Sequence, residues 1–262
     1  MRNTAVIWAL ILALTPLVNA ANLRVQEDRP IVDGVFVNGH GPYRFLMDTG
    51  TNVNLIDVNL ARKIGMNATF EVDLALASGK TPAAGSDGNE VVLDTAKADR
   101  QEFLYSGLEA IHNFSPDIQG ILGQWFLSQF DYTLDLRGKR LEFGKQQGPN
   151  GTRVPLRMIN GRLAVATSLG DLILDSGASR LVLFGAEPDI GLGGNREWRT
   201  EAGSQEVGMV SGKSLGIEGR TIWRGNAVAI PNRSEAGVDG LLPLSLFKAI
   251  YVCNSDGYII FE

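Results

Sequence analysis

The run Phe45-Leu46-Met47-Asp48-Thr49-Gly50 returns in the second half of the chain as Leu172-Ile173-Leu174-Asp175-Ser176-Gly177. Each copy is an apolar stretch that ends on a carboxylate in a tight turn. Taken singly, Asp-[Ser/Thr]-Gly is an ordinary turn, in which Asp accepts backbone N–H groups and Gly supplies an open conformation. The pair is more demanding, because each turn is followed at similar range by an apolar-Gly run. From Asp48 to Gly120 is 72 residues, and from Asp175 to Gly240 is 65. Two copies in this order describe a duplicated lobe; a solenoid needs three or more. A chain so built presents one Asp at a strand tip in each of two lobes.

The rest of the sequence suits that plan. The stretches 30–39, 43–48, 89–94, 132–136 and 140–144 are apolar or alternating runs bounded by Gly, Asn and Asp, and they read as short strands. One of the few helical patterns covers 54–66, with Leu60 and Ile64 on one face and Gly65 near its end. The polar, Gly- and Gln-rich stretch 144–153 reads as the link between lobes, giving an N-terminal lobe over 21–147 and a C-terminal lobe over 148–262.

Residues 1–20 have the form of an export signal. Arg2 precedes an apolar segment from Ala5 to Val18, and Val18-Asn19-Ala20 is a small-residue cleavage site. The segment is short for a bilayer span and is interrupted by Pro16, so cleavage near Ala20/Ala21 and a periplasmic or secreted product are expected, with no membrane span thereafter. The formal net charge is −5, without a basic cluster, which disfavours nucleic acid as a partner. Two histidines and one cysteine argue against a His/Cys metal site, and no cofactor is expected. Cys253 lies in a β-branched, aromatic run and reads as a buried structural thiol.

Two carboxylates at strand tips have a specific use when they meet across a cleft. Close together they cannot both ionise, so they share one proton and hold a water. One then takes a proton from the attacking water while the other donates to a carbonyl. Thr49 and Ser176 are placed to bond to the opposite turn's backbone, and Gly50 and Gly177 permit the close approach.

On these residues the chain resembles the aspartic peptidases. Its short lobes are similar to bacterial retropepsin-like enzymes, joined in one chain as in pepsin-like ones. The resemblance implies an all-β, bilobed acid-protease fold: two similar barrel-like lobes with the active-site cleft between them. It assigns catalysis to Asp48 and Asp175, with Thr49, Gly50, Thr51, Ser176, Gly177 and Ala178 supporting the turns. It also implies an apolar-apolar-Gly crossing beneath each turn. Ile121-Leu122-Gly123 matches in the first lobe, whereas the second has Leu241-Leu242-Pro243, and Pro fixes φ and removes a donor at the crossing. No Tyr falls between Tyr43 and Tyr105, so a pepsin-type flap tyrosine is absent. The Gly-containing turns at Ser78–Gly79 and Ala202–Gly203 are the flap candidates, with plain surface hairpins as the alternative. Ala21 to Pro30 is too short for a pepsin-like inhibitory prosegment.

The function implied is an exported aspartic endopeptidase, monomeric because one chain carries both carboxylates, acting on an extended polypeptide. The apolar residues beside the turns (Phe45, Leu46, Met47, Ile121, Ile173, Leu174 and Leu241) suggest pockets for bulky apolar side chains. Two other readings stand beside it. One is a catalytically silent peptide-binding or scaffolding protein that keeps the fold; the other is a dimer in which only the first lobe is peptidase-like.

Overall fold

The computed structural model describes residues 21–76, 79–189, 196–200, 203–231 and 237–262. The expected export signal, together with Ser78 and Ala202, lies outside the described residues.

The first half runs through β1 (Ala21–Gln26), β2 (Arg29–Val37), β3 (His40–Met47), β4 (Leu55–Asp57), β5 (Phe70–Leu76), β6 (Gly79–Leu93), β7 (Ala96–Ser106), β8 (Gly120–Leu122), β9 (Tyr132–Asp135) and β10 (Arg140–Phe143). Three short helices interrupt it: α1 (Val58–Lys63), α2 (Glu109–His112) and α3 (Gln124–Leu127). The second half contains β11 (Thr152–Pro155), β12 (Arg157–Ile159), β13 (Arg162–Thr167), β14 (Gly170–Asp175), β15 (Val182–Phe184), β16 (Arg196–Thr200), β17 (Gly203–Ile217), β18 (Arg220–Ile230), β19 (Gly240–Pro243), β20 (Ala249–Cys253) and β21 (Tyr258–Phe261).

The halves repeat strand for strand. β3 pairs in parallel with β8, and β14 with β19; β4 pairs in parallel with β7, and β15 with β18. The long hairpin β6–β7 corresponds to β17–β18, and both carry a bulge, at Ser86/Asn89 and at Val210/Lys213. The halves differ in two respects: β2 also pairs with β6 in the first, and the opening strands are joined differently. β1 pairs with both β10 and β2, whereas its counterpart is split at Leu156 into β11, which pairs with β21, and β12, which pairs with β13. Turn chemistry sets these hairpins. Asn38-Gly39 and Asn160-Gly161 have positive φ at both central residues, as a two-residue turn matched to strand twist requires.

The 54–66 stretch is a helix only in its second part. Leu55 and Ile56 are buried in β4 between β7 and β8, so sheet pairing overrides the helical period there. Asp57 then caps α1, its Oδ1 accepting from the amides of Asn59 and Leu60, both at 2.9 Å. Gly65, at φ +75°, follows the last turn.

The stretch 144–151 between β10 and β11 is not the main join between the halves. β20 pairs with β9 from Ala249↔Asp135 to Val252↔Tyr132, so six consecutive antiparallel strands of a larger sheet, β11-β21-β20-β9-β10-β1, are drawn from both halves. One apolar core runs accordingly from Val32 and Met47 through Leu134 and Val252 to Leu172 and Leu174. Each fully buried side chain of this size contributes about 1.5–3 kcal/mol. That continuity fixes the two Asp turns against one another.

Candidate active site

β3 ends at Met47 because the strand has reached its parallel partner's end at Leu122, and Asp48 N–H still donates to Leu122 O at 3.0 Å. The chain then turns. Gly50 N–H donates to Asp48 Oδ1 at 2.8 Å, and the second turn repeats this with Gly177 N–H to Asp175 Oδ1 at 2.7 Å and Ala178 N–H to the same oxygen at 2.9 Å. Backbone N–H donors favour the ionised form of a carboxylate and fix its rotamer.

The two turns lock into each other. Thr49 Oγ1 donates to Leu174 O at 2.7 Å and accepts from Ser176 N–H at 3.1 Å. Ser176 Oγ donates to Met47 O at 2.6 Å and accepts from Thr49 N–H at 2.9 Å. Both residues are fully buried, so these bonds form away from water. Each glycine faces the other lobe's carboxylate. A Cβ on Gly177 would stand 2.8 Å from Asp48 Oδ2, and one on Gly50 would stand 2.7 and 2.8 Å from the Asp175 oxygens. Only glycine permits this approach. Asp48 is buried, while Asp175 is partly exposed.

Beneath the turns the halves use different chemistry. In the first, Gly123 N–H donates to Asn54 Oδ1 at 3.0 Å, and Gln124 Nε2 donates to Thr49 O at 2.9 Å. Thr51 contributes its carbonyl, which accepts from Gln124 N–H at 3.0 Å. Asn54 is fully buried and also donates to Glu102 O at 3.1 Å. In the second half, register places Leu181, Pro243 and Leu244 where the first has Asn54, Gly123 and Gln124. The crossing that Pro243 put in question is intact. Pro243 is extended (φ −69°, ψ 138°) at the end of β19, opposite Asp175. It has no N–H that would need an acceptor, and the position matching Asn54 is an apolar residue, Leu181.

The flap candidates Gly79 and Gly203 each begin the returning strand of a hairpin, with Leu76↔Gly79 and Thr200↔Gly203 as the last pairs. The second hairpin, β16–β17, reaches α2 of the first half. Of the apolar residues expected to line pockets, only Leu241 is partly exposed. Phe45, Leu46, Met47, Ile121, Ile173 and Leu174 are all buried in the cores, because strands ending at the turns are covered on both faces. These six hold the turns and offer no wall to a peptide, so they do not support the expected apolar cleavage preference. The sequence reading passed over Asn54, Gln124 and Arg29. The last donates from Nε to Gly177 O at 2.6 Å.

Residues 34–126, spanning the first turn and its crossing, match the family model described as aspartyl protease. Among solved structures, the aspartic proteinase from Irpex lacteus aligns over 93% of this chain and 96% of its own, with a TM-score of 0.54 and 14% sequence identity. No curated protein sequence matches the chain. The chain therefore shares the fold of that proteinase, and residues 34–126 of its first lobe resemble the aspartyl protease family. The all-β bilobed architecture covers both halves, although the family match covers one.

Proposed function

We propose that the chain is an exported aspartic endopeptidase in which Asp48 and Asp175 share a proton and activate water. The observation that carries this is the reciprocal lock of Thr49 and Ser176, which sets each carboxylate against the opposite turn's glycine. In the working form one carboxyl is ionised and draws a proton from the water, while the other donates to the peptide carbonyl. The substrate is a polypeptide in extended form, laid between the lobes beneath the β5–β6 and β16–β17 hairpins. Export rests on the apolar segment and the Val18-Asn19-Ala20 site of the sequence. One chain supplies both lobes, so a monomer suffices.

The test is hydrolysis of an unbiased peptide pool by the mature protein and by Asp48→Asn and Asp175→Asn. Each substitution lowers turnover on the order of 10³-fold or more, leaves thermal unfolding near wild type, and adds little to the other. Peptide binding without hydrolysis in the wild type would move the reading to a silent binding protein. Near-normal turnover by either variant removes the dyad.

A further inference from the structure

Arg29 opens β2 in the first half, yet its side chain ends at the catalytic turn of the second. Its Nε donates to Gly177 O at 2.6 Å. The side chain is 11% exposed, its guanidinium lies 5.1 Å from the centre of the Phe114 ring, and Glu27 is 3.3 Å away. The carbonyl it holds belongs to the peptide unit whose N–H, on Ala178, donates to Asp175 Oδ1 at 2.9 Å. One peptide group thus joins guanidinium to carboxylate. A charged donor on its oxygen polarises that group and strengthens what its N–H gives.

We propose that Arg29 is a positioning residue for Asp175, acting through the Gly177–Ala178 peptide to fix the carboxylate's orientation and favour its ionised form. A neutral donor would serve to tether the turn; the charge is what reaches the carboxylate. The charged groups around it are Glu27 and Asp28 in the β1–β2 turn, Asp175 beyond the peptide, and Asp48 against Gly177. Arg162 occupies the matching place at the start of β13. Each arginine lies two residues before the one that pairs with the second residue ahead of its own lobe's Asp, Ile31↔Leu46 and Ala164↔Ile173. The duplicated lobe repeats the arginine along with the aspartate.

This inference rests on the proposed peptidase reading, and its test separates the two. Arg29→Met, Arg29→Gln and Arg29→Lys are compared with wild type in two measurements. One is the pH profile of kcat and KM; the other is a carboxyl carbon-13 titration of the Asp pair, which needs no turnover. The pair titrates with two apparent pKa values that belong to both residues. Removing the positive charge favours the protonated forms, so both values, and both limbs of the bell-shaped profile, move to higher pH. The expected shift is about half a pH unit or more in the Met and Gln variants, with Lys close to wild type. In Arg29→Met, kcat at the wild-type optimum falls about tenfold and KM changes less than about twofold. Should Arg29→Met unfold, Arg29→Gln carries the test. Limbs and titration unmoved in a folded neutral variant would reduce Arg29 to a strut and overturn the proposal. If the wild type hydrolyses nothing, the peptidase reading fails and the carboxyl titration still decides Arg29.

Discussion

Thr49 and Ser176 exchange hydrogen bonds across the lobe boundary: each hydroxyl accepts the other's amide and donates to the carbonyl just ahead of the other's aspartate. Position and chemistry are therefore linked, since the group that orients one Asp is the residue beside the other. Thr49→Val strands Leu174 O and Ser176 N–H in a buried place. With about 1–3 kcal/mol per stranded group, the expected loss of stability is about 2–6 kcal/mol. Thr49→Ser keeps the hydroxyl and costs far less. In urea unfolding, the Thr49→Val/Ser176→Ala double variant loses less than the sum of the singles, because the two pairs of bonds clamp the same two turns and the loss of one pair already loosens the other. Additive losses would mean the two residues are not one lock.

Gly50 and Gly177 have a different task, which is to leave room. Gly177→Ala places a methyl 2.8 Å from Asp48 Oδ2, and Gly50→Ala does the same to the Asp175 oxygens at 2.7 and 2.8 Å. The carboxylates must rotate or the lobes part. A misplacement of ~1 Å costs about 10²-fold in rate, and more where two groups act together. Each alanine variant should stay folded, with activity reduced at least that much in a peptide assay. Turnover within a few-fold of wild type would show that the carboxylates have slack the structure does not suggest.

Much of this was legible in the chain itself. The paired Asp turns, the duplicated order and the β-rich architecture follow from Asp48 and Asp175 and the apolar runs before them. What escaped was decided by tertiary pairing. Leu55 and Ile56 fit a helical period, yet they are strand because β7 and β8 bracket them. Phe45 and Ile173 suggested pocket walls because adjacency to an Asp turn says nothing of which face is covered. Arg29 left no local signal, since its partner Gly177 is 148 residues away. Asn54 was masked by the repeat itself, because the matching position in the other half is Leu181.

Cys253 is buried on β20, with its Sγ 3.4 Å from Ser255 Oγ and 3.7 Å from Asp131 Oδ2. A thiol enclosed in this way, next to a carboxylate, is a poor nucleophile. Ellman's reagent should leave the native protein unlabelled and titrate a single thiol only in denaturant. Peptidase activity should survive both this reagent and EDTA, since the proposed mechanism activates water with carboxylates. Rapid native labelling with loss of activity would place the thiol closer to the chemistry than the interlobe sheet puts it.

The two crossings make the last prediction, because they solve one structural problem with incompatible chemistry. In the first half, Gly123 N–H is buried and needs Asn54 Oδ1, at 3.0 Å. In the second, Pro243 has no N–H, and Leu181 takes the place of Asn54. Asn54→Leu therefore strands Gly123 N–H and Glu102 O, at about 1–3 kcal/mol each. Leu181→Asn buries an amide at a crossing where proline offers it no N–H, and removes apolar packing, at a similar cost of about 2–4 kcal/mol. Both substitutions look like repairs, since each makes one half more like the other, and both should lower the unfolding midpoint in urea. Asn54→Leu should also lower kcat, because Gly123 and Gln124 support the Thr49 turn directly, whereas a variant on the outer face of β7, such as Glu102→Gln, should change neither. If Asn54→Leu is as stable as wild type, the amide is not what holds the first crossing, and Thr49 takes its position from packing alone.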